Sequence, residues 1–216
     1  MFSDREEAGL RLAEKLIRYN NDKNTVVVAI PRGGVPIGSI IAKTLNLPLE
    51  IVLSKKIGHP INKEYAIGAI TLKNRILNDD ILGVSQKYID EETIHIRKIL
   101  NNRDQLYHGS LSPISLKNKI VILVDDGVAT GNTLISSLEL INLQEPLEII
   151  VALPVASNSA LKIIKSLDIV TRTICLLVPE YFQAVGQFYE KFNQVADDEV
   201  IKLLKESNSS LLFTSN

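Results

Sequence analysis

The sequence predicts an α/β fold in which a mostly parallel sheet is flanked by helices on both faces. Short apolar runs rich in Val and Ile recur along the 216 residues, as in strands that are buried on both faces. Segments with apolar residues at helical spacing separate these runs. Strands that alternate with helices form parallel sheets. Because no linker or internal repeat interrupts the pattern, we expect a single domain over residues 1–216.

In the first half of the chain, Ser3 and Glu6 have the spacing of a helix capping box, so a helix is predicted to begin there. The β-branched run at residues 25–30 predicts a buried strand. An apolar stripe predicts a helix at residues 35–45. The remaining elements, in order, are a strand at 49–53, a polar loop with Gly and Pro at 55–65, a short strand at 75–77 and a charged helix at 90–107.

The second half begins with five apolar residues at 120–124, which are typical of a strand buried on both faces. Leu134, Leu138 and Ile141 have helical spacing and predict an amphipathic helix after it. The remaining elements, in order, are a strand at 147–153, a helix at 159–167, a strand at 171–178, a last helix at 197–205 and a frayed tail from residue 207.

Composition narrows the possible functions. The net charge is −1 and the Lys and Arg residues form no block, so a broad nucleic-acid-binding face is not expected. The single cysteine, Cys175, lies in an apolar run and is interpreted as a buried structural thiol. The first residues are too charged for a signal peptide, and no apolar run approaches membrane-spanning length. We therefore expect a cytoplasmic protein with no membrane partner.

The loop after residues 120–124 is the strongest functional signal. Asp125 and Asp126 follow the predicted strand, and a short loop with two glycines then opens a helix. Free backbone N–H groups and the helix dipole make such a helix start an anion site, and Thr130 and Thr133 can add hydroxyl donors. The loop therefore suits a phosphate monoester beside sugar hydroxyls. An ordinary turn with two solvated carboxylates is the alternative, whereas P-loop and dinucleotide-fold motifs are absent.

Two further predicted strand ends carry polar residues at the same edge of the sheet, where ligands bind in such folds. Arg32 stands before a glycine pair, and its guanidinium suits phosphate oxygens; a tight turn with a surface arginine is the alternative. Lys55 and Lys56 begin the polar loop that contains His59. The loop is polar and cationic, and either lysine is equally explained as a solvated side chain.

The acidic loop resembles the phosphoribosyl-pyrophosphate (PRPP) signature of the type I phosphoribosyltransferases, which is an apolar strand, two acidic residues and a short Gly/Thr loop opening a helix. The resemblance implies that the acidic pair contacts the ribose hydroxyls, that the loop wraps the 5′-phosphate and that Mg²⁺ binds with PRPP near the pair. It also implies a pyrophosphate loop at Arg32, often with a non-proline cis peptide. The loop at residues 55–65 is implied to close over the site and exclude water, with basic residues near the pyrophosphate. The implied catalytic residues are Arg32, Lys56, Asp125 and Asp126. The implied PRPP-binding residues are Gly33, Gly34, Lys55, Asp125, Asp126, Gly127, Val128, Ala129, Thr130, Gly131, Asn132 and Thr133.

The chain also looks like a particular bacterial branch of this superfamily, whose acceptor is not settled. The segments that carry it are 2–16, 30–37, 55–70, the acidic loop, and 182–186 with Tyr189 and Phe192. The resemblance implies a small hood from about residues 1–20 and 179–206, with Pro179, Glu180, Tyr181 and Phe182 as candidate acceptor contacts, and a homodimer. The expected activity is ribose 5-phosphate transfer from PRPP to a nitrogenous base or related small-molecule acceptor. Two alternatives stay open: a PRPP-sensing regulator without turnover, and a phosphosugar phosphatase or hydrolase, for which no nucleophilic constellation is visible.

Overall fold

The computed structural model describes residues 1–63, 65–78, 81, 83–109 and 112–212, without the side chains of 210–212. The helices are α1 (Arg5–Lys15), α2 (Gly34–Leu45), α3 (Gln86–His108), α4 (Asn132–Asn142), α5 (Asn158–Ser166) and α6 (Asp197–Leu212). The strands are β1 (Thr25–Ala29), β2 (Leu49–Ile51), β3 (Lys55–Gly58), β4 (Ala66–Ile70), β5 (Arg75–Leu77), β6 (Ile120–Val124), β7 (Glu148–Val155) and β8 (Arg172–Leu177).

Five strands form a parallel sheet in the order β2-β1-β6-β7-β8. Residues of β1 and β6 alternate between two buried apolar clusters, one on each face of the sheet. Helices α1, α2, α3 and α6 contribute to one cluster, whereas α4 and α5 contribute to the other. The predicted α/β class, with a parallel sheet covered on both faces, is therefore confirmed.

A second sheet includes the first four residues of the polar loop predicted at 55–65. Strands β3, β4 and β5 form a three-stranded antiparallel sheet. Ile57, Ile67 and Ile70 are buried in it, and this burial offsets the polar composition of the neighbouring positions. The hydroxyl of Tyr88 donates to the carbonyl of Gly58 at 2.7 Å. The loop prediction was therefore wrong for residues 55–58, which lie in a strand tied to α3.

The first helix begins one residue later than the capping box at Ser3 and Glu6 predicted. Asp4 is the N-cap, and its carboxylate accepts from the backbone N–H of Glu7 at 3.0 Å. The Glu7 carboxylate in turn accepts from the N–H of Ser3 at 2.6 Å. The shift arises because Phe2 pairs with a late segment of the chain: its N–H donates to the carbonyl of residue 188 at 2.8 Å. This pairing holds the chain extended as far as the cap.

The last helix continues well past the predicted frayed tail at residue 207. Ser207 is buried, and its hydroxyl lies 2.9 Å from that of Ser39 in α2. The side-chain amide of Asn208 donates to the carbonyl of Leu49 at 2.8 Å and accepts from the N–H of Leu49 at 3.0 Å. These tertiary contacts override the low helix propensity of the Ser and Asn residues.

One histidine is part of a buried ionic cluster at the edge of the main sheet. The Nε2 of His108 lies 2.7 Å from Oε1 of Glu50, and Nδ1 lies 2.8 Å from Oδ1 of Asp104. The hydrogen bond to Glu50 raises the pKa of His108, against the opposing effect of burial. The cluster joins α3 to β2 and to the backbone of Ile114, whose N–H donates to Glu50 at 2.6 Å.

Candidate functional site

The acidic pair lies at the carboxyl end of β6, at the centre of the parallel sheet. Oδ1 of Asp125 accepts from the backbone N–H of Asp126 at 2.9 Å. The surrounding protein displaces water from Asp125 and raises the pKa of its carboxyl, and the charge of Asp126 raises it further. Desolvation also raises the pKa of Asp126. Carboxylates held so close together favour a ligand that donates hydroxyl protons or carries a cation.

Arg5, the first residue of α1, is the cation that faces this pair. Its Nη2 and Nε lie 2.7 and 3.1 Å from Oδ2 of Asp126, and Nη1 donates to the carbonyl of Asn193 at 2.8 Å. The guanidinium also lies over the ring of Phe192, 4.0 Å from its centroid. Arg5 opposes the increase in the pKa of Asp126 that desolvation causes.

The chain segment around residues 185–193 forms one wall of the site. The hydroxyl of Tyr189 donates to the backbone carbonyl of Asp126 at 2.6 Å, and its ring stacks on Phe192 at 5.0 Å. Desolvation raises the pKa of the Tyr189 hydroxyl far above its usual range, so it acts as a neutral hydrogen-bond donor. A β-bridge joins Tyr189 to Phe2. The wall and the N-terminal segment are therefore one connected structure.

The turn after β1 lies against the acidic pair. The peptide bond between Pro31 and Arg32 is cis, the unusual backbone expected near Arg32. A Cβ atom built on Gly33 would lie 2.0 Å from Oδ2 of Asp126, and one on Gly34 would lie 2.7 Å from the carbonyl oxygen of Val124. A Cβ at Gly33 would therefore clash with the side chain of Asp126, and one at Gly34 would clash with the end of β6.

Arg32 extends from this turn toward the start of α6. Its Nη1 lies 3.7 Å from Oδ1 of Asp197, and the hydroxyl of Tyr107 donates to the same oxygen at 2.6 Å. Burial, followed by the hydrogen bond to Asp197, raises the pKa of Tyr107 to about 12. The Arg32 side chain is 40% exposed. A long ion pair of this kind, open to water, contributes little energy, so the guanidinium is available to an anion.

The loop between β6 and α4 is held by hydrogen bonds at its first residues, whereas the polar side chains toward α4 are exposed. The N–H of Val128 donates to the carbonyl of Val155 at 3.0 Å, and the hydroxyl of Ser157 donates to the carbonyl of Ala129 at 2.6 Å. Gly131 has a φ of +89° and opens the helix. Within the described residues, no protein oxygen accepts from the N–H groups at 130–133. The side chains of Thr130, Asn132 and Thr133 are exposed, so this loop can receive an anion.

The predicted lysines lie on a different element from the acidic pair. Lys55 and Lys56 begin β3 and are exposed. Just before them, the hydroxyl of Ser54 lies 3.1 Å from that of Ser137 in α4. The start of β3 is thereby placed beside the helix that follows the anion loop. In the turn after β3, His59 accepts at Nδ1 from the N–H of Ile61 at 3.2 Å.

The segment predicted to contact the acceptor follows β8. Tyr181 is 79% exposed, whereas Phe182 packs against Phe188 with ring centroids 5.1 Å apart. Val185 lies close to the acidic loop: a Cβ built on Gly127 would be 2.5 Å from Cγ1 of Val185. Tyr181 is therefore the aromatic side chain of this segment that is free to stack on a ligand.

The sequence-based prediction missed Arg5 and Tyr189 as contacts of the acidic pair. They are 121 and 63 residues from Asp126 along the chain, and no local motif signals either contact. Among the described residues, no group of three or more His, Cys, Asp or Glu side chains is arranged to hold a metal ion. No helix in that same part of the chain is both long and apolar enough to cross a bilayer.

Most of the chain is similar to known proteins of one family. A model of the phosphoribosyl transferase domain matches residues 4–192. A Mycobacterium tuberculosis protein named "Putative phosphoribosyl transferase Rv0571c" is 32% identical over 96% of this chain and 47% of its own length. The chain therefore spans about half the length of the curated relatives that it matches.

Solved structures show the same fold. The crystal structure of TT1426 from Thermus thermophilus is 35% identical, with a TM-score of 0.85 over 95% of this chain and 98% of that one. The AQ2163 protein from Aquifex aeolicus is 17% identical, with a TM-score of 0.51 over 84% of this chain and 78% of that one, and shows likeness of fold alone. The domain match and the parallel sheet with its acidic loop lead to one conclusion: the chain has the type I phosphoribosyltransferase fold and belongs to the phosphoribosyl transferase family.

Proposed function

We propose that the chain is a PRPP-dependent phosphoribosyltransferase that moves ribose 5-phosphate to a nitrogenous base or related acceptor and releases pyrophosphate. The observation that carries this proposal is the meeting of three features at the carboxyl edge of the sheet. These are the desolvated acidic pair after β6, the open anion loop before α4 and the Arg32 turn against Asp126.

Each feature has a separate role in this proposal. The free N–H groups at 130–133 bind the 5′-phosphate at the start of α4. Asp125 and Asp126 accept hydrogen bonds from the ribose hydroxyls. Arg32 donates to pyrophosphate as negative charge develops on it, which lowers the barrier to breaking the bond to C1. Binding at these three places fixes C1 in the orientation that the acceptor requires.

The acidic pair also fits a magnesium ion, because carboxylate oxygens together with substrate oxygens are the ligands that Mg²⁺ prefers. Asp125 and Asp126 are the residues that would hold it, and the bound ion would neutralise charge on pyrophosphate and ribose oxygens. The protein itself contributes the two adjacent carboxylates and the counter-charge of Arg5.

Calorimetry with PRPP and Mg²⁺ tests the binding site. We expect Asp125→Asn and Asp126→Asn each to weaken PRPP binding by about tenfold or more, since a hydrogen bond to a charged group contributes about 1.5–3 kcal/mol. Asp168→Asn is the matched control, because residue 168 precedes β8 at the opposite edge of the sheet. Equal affinity in wild type and both site variants would refute the assignment.

Pyrophosphate release distinguishes the enzyme from the alternative, a PRPP-sensing regulator. The protein is mixed with PRPP, Mg²⁺ and each member of a panel of purine and pyrimidine bases. Release with one base establishes transfer and identifies the acceptor class. PRPP binding without release for any acceptor would favour the sensor.

A further inference from the structure

We propose that Arg5 is a positioning residue of the PRPP site, which fixes the orientation of the Asp126 carboxylate so that its second oxygen accepts from the sugar. This inference rests on the proposed function. Arg5 does not need to touch PRPP for this role, because it acts through Asp126.

The contact is specific in geometry. Two nitrogens of the guanidinium converge on the single oxygen Oδ2 of Asp126, at 2.7 and 3.1 Å, while the third donates to the carbonyl of Asn193. The side chains of Arg5 and Asp126 are only 12% and 14% exposed. Within the described part of the chain, no other residue donates to Oδ1 of Asp126. One oxygen of the carboxylate is therefore held by the protein and the other remains available to a ligand.

Arg5 is itself held in place by the segments that surround it. The Asp4 cap fixes the first turn of α1, the ring of Phe192 lies under the guanidinium at 4.0 Å, and Tyr189 hydrogen-bonds the backbone of Asp126 at 2.6 Å. The arginine and the carboxylate are thus anchored to the same wall. An arrangement fixed at both ends orients a side chain more strictly than an isolated surface ion pair does.

The test measures PRPP affinity and inorganic phosphate affinity by calorimetry in wild type, Arg5→Gln, Arg5→Lys and Arg11→Gln. Arg11 is the matched control, since it lies on the same helix, is half exposed and pairs with Glu7. We expect Arg5→Gln to bind PRPP about tenfold more weakly than wild type, because the Asp126 carboxylate loses the charged hydrogen bonds that orient it. Arg5→Lys should also bind PRPP more weakly than wild type, because an ammonium cannot reproduce the paired hydrogen bonds of the guanidinium. Inorganic phosphate, which probes only the anion loop, should bind equally to all four proteins.

The outcomes separate the inference from the proposed function. Wild-type protein that binds no PRPP would overturn both. If wild type binds PRPP and Arg5→Gln binds it equally or more tightly, the inference alone is overturned. Tighter binding would mark Arg5 as a residue that blocks the site. If Arg5→Gln does not fold, Arg5→Lys decides: affinity equal to wild type refutes the role of the paired hydrogen bonds, and lower PRPP affinity with unchanged phosphate affinity supports it.

Discussion

Substitution of Gly33 by alanine tests the close approach between the Arg32 turn and the acidic pair. Gly33 has helical backbone angles, with φ −61° and ψ −33°, so alanine is tolerated by the backbone itself. The new Cβ would lie 2.0 Å from Oδ2 of Asp126. That oxygen would have to move by about 1.4 Å to reach ordinary van der Waals distance. It cannot do so and keep both hydrogen bonds to Arg5.

The expected cost can be estimated from this geometry. Loss of hydrogen bonds between charged groups costs about 1.5–3 kcal/mol. Alanine in place of glycine offsets about 0.4–1 kcal/mol of this by restricting the unfolded chain. The free energy of unfolding should therefore fall by about 0.5–2.5 kcal/mol, and PRPP affinity should fall by about tenfold or more as the carboxylate turns away from the sugar.

Urea denaturation and calorimetry with PRPP measure the two effects on the same protein. Gly38→Ala in α2 is the control, because its Cβ would meet only apolar atoms, at 3.0 Å from Ala29 and Leu49. It should lower stability and leave PRPP affinity unchanged. A Gly33→Ala protein with wild-type stability and wild-type affinity would refute the reasoning, since it would show that Asp126 can rotate without loss.

Three further predictions concern other parts of the chain. Arg32→Ala should lower kcat/KM for PRPP by about 100-fold or more and leave ribose 5-phosphate affinity unchanged, because the monophosphate lacks pyrophosphate. His108→Gln should lower the free energy of unfolding, measured in urea, by about 3 kcal/mol at pH 6, since it breaks the buried pair with Glu50. The difference in stability between variant and wild type should shrink as pH rises through the raised pKa of His108. Hydrogen exchange at residues 57–63 should slow on PRPP binding, and Tyr88→Phe should speed it without ligand, because the hydrogen bond to Gly58 is lost.

Each of these predictions has a result that contradicts it. Arg32 is structural if turnover and monophosphate affinity fall together. The histidine cluster stabilises nothing if the variant and the wild type unfold at the same urea concentration at pH 6. If PRPP leaves the hydrogen-exchange rates at residues 57–63 unchanged, this segment does not close over the site.

The central strand and its loop could be predicted from sequence because their signals are local. The apolar run at 120–124 coincides with β6 residue for residue, since a strand buried on both faces carries no polar position. Asp125 and Asp126 adjoin it, and Gly131 of the anion loop has the positive φ that favours glycine. Local chemistry therefore identified the part of the site that a single segment builds.

The remainder depends on contacts between distant segments. Ile57 lies in a strand only because β4 pairs with it, and its lysine neighbours suggested a loop. Arg5 meets Asp126 because Phe2 bridges to Tyr189, which no spacing in the sequence reveals. Ser207 was predicted to begin a frayed tail, but it is helical because it is buried against α2. In each case a distant segment of the same chain determines the local structure, and the local sequence does not reveal which segment that is.

The amide of Asn208 has a consequence for how the molecules behave in concentrated solution. Strand β2 ends the parallel sheet, and an open strand of this kind can recruit a strand from another molecule. By pairing with both the N–H and the carbonyl of Leu49, the side chain imitates the backbone of a neighbouring strand at that residue. At Leu49, α6 therefore takes the place that a sixth strand would occupy. A strand of another molecule cannot pair with the sheet at that residue.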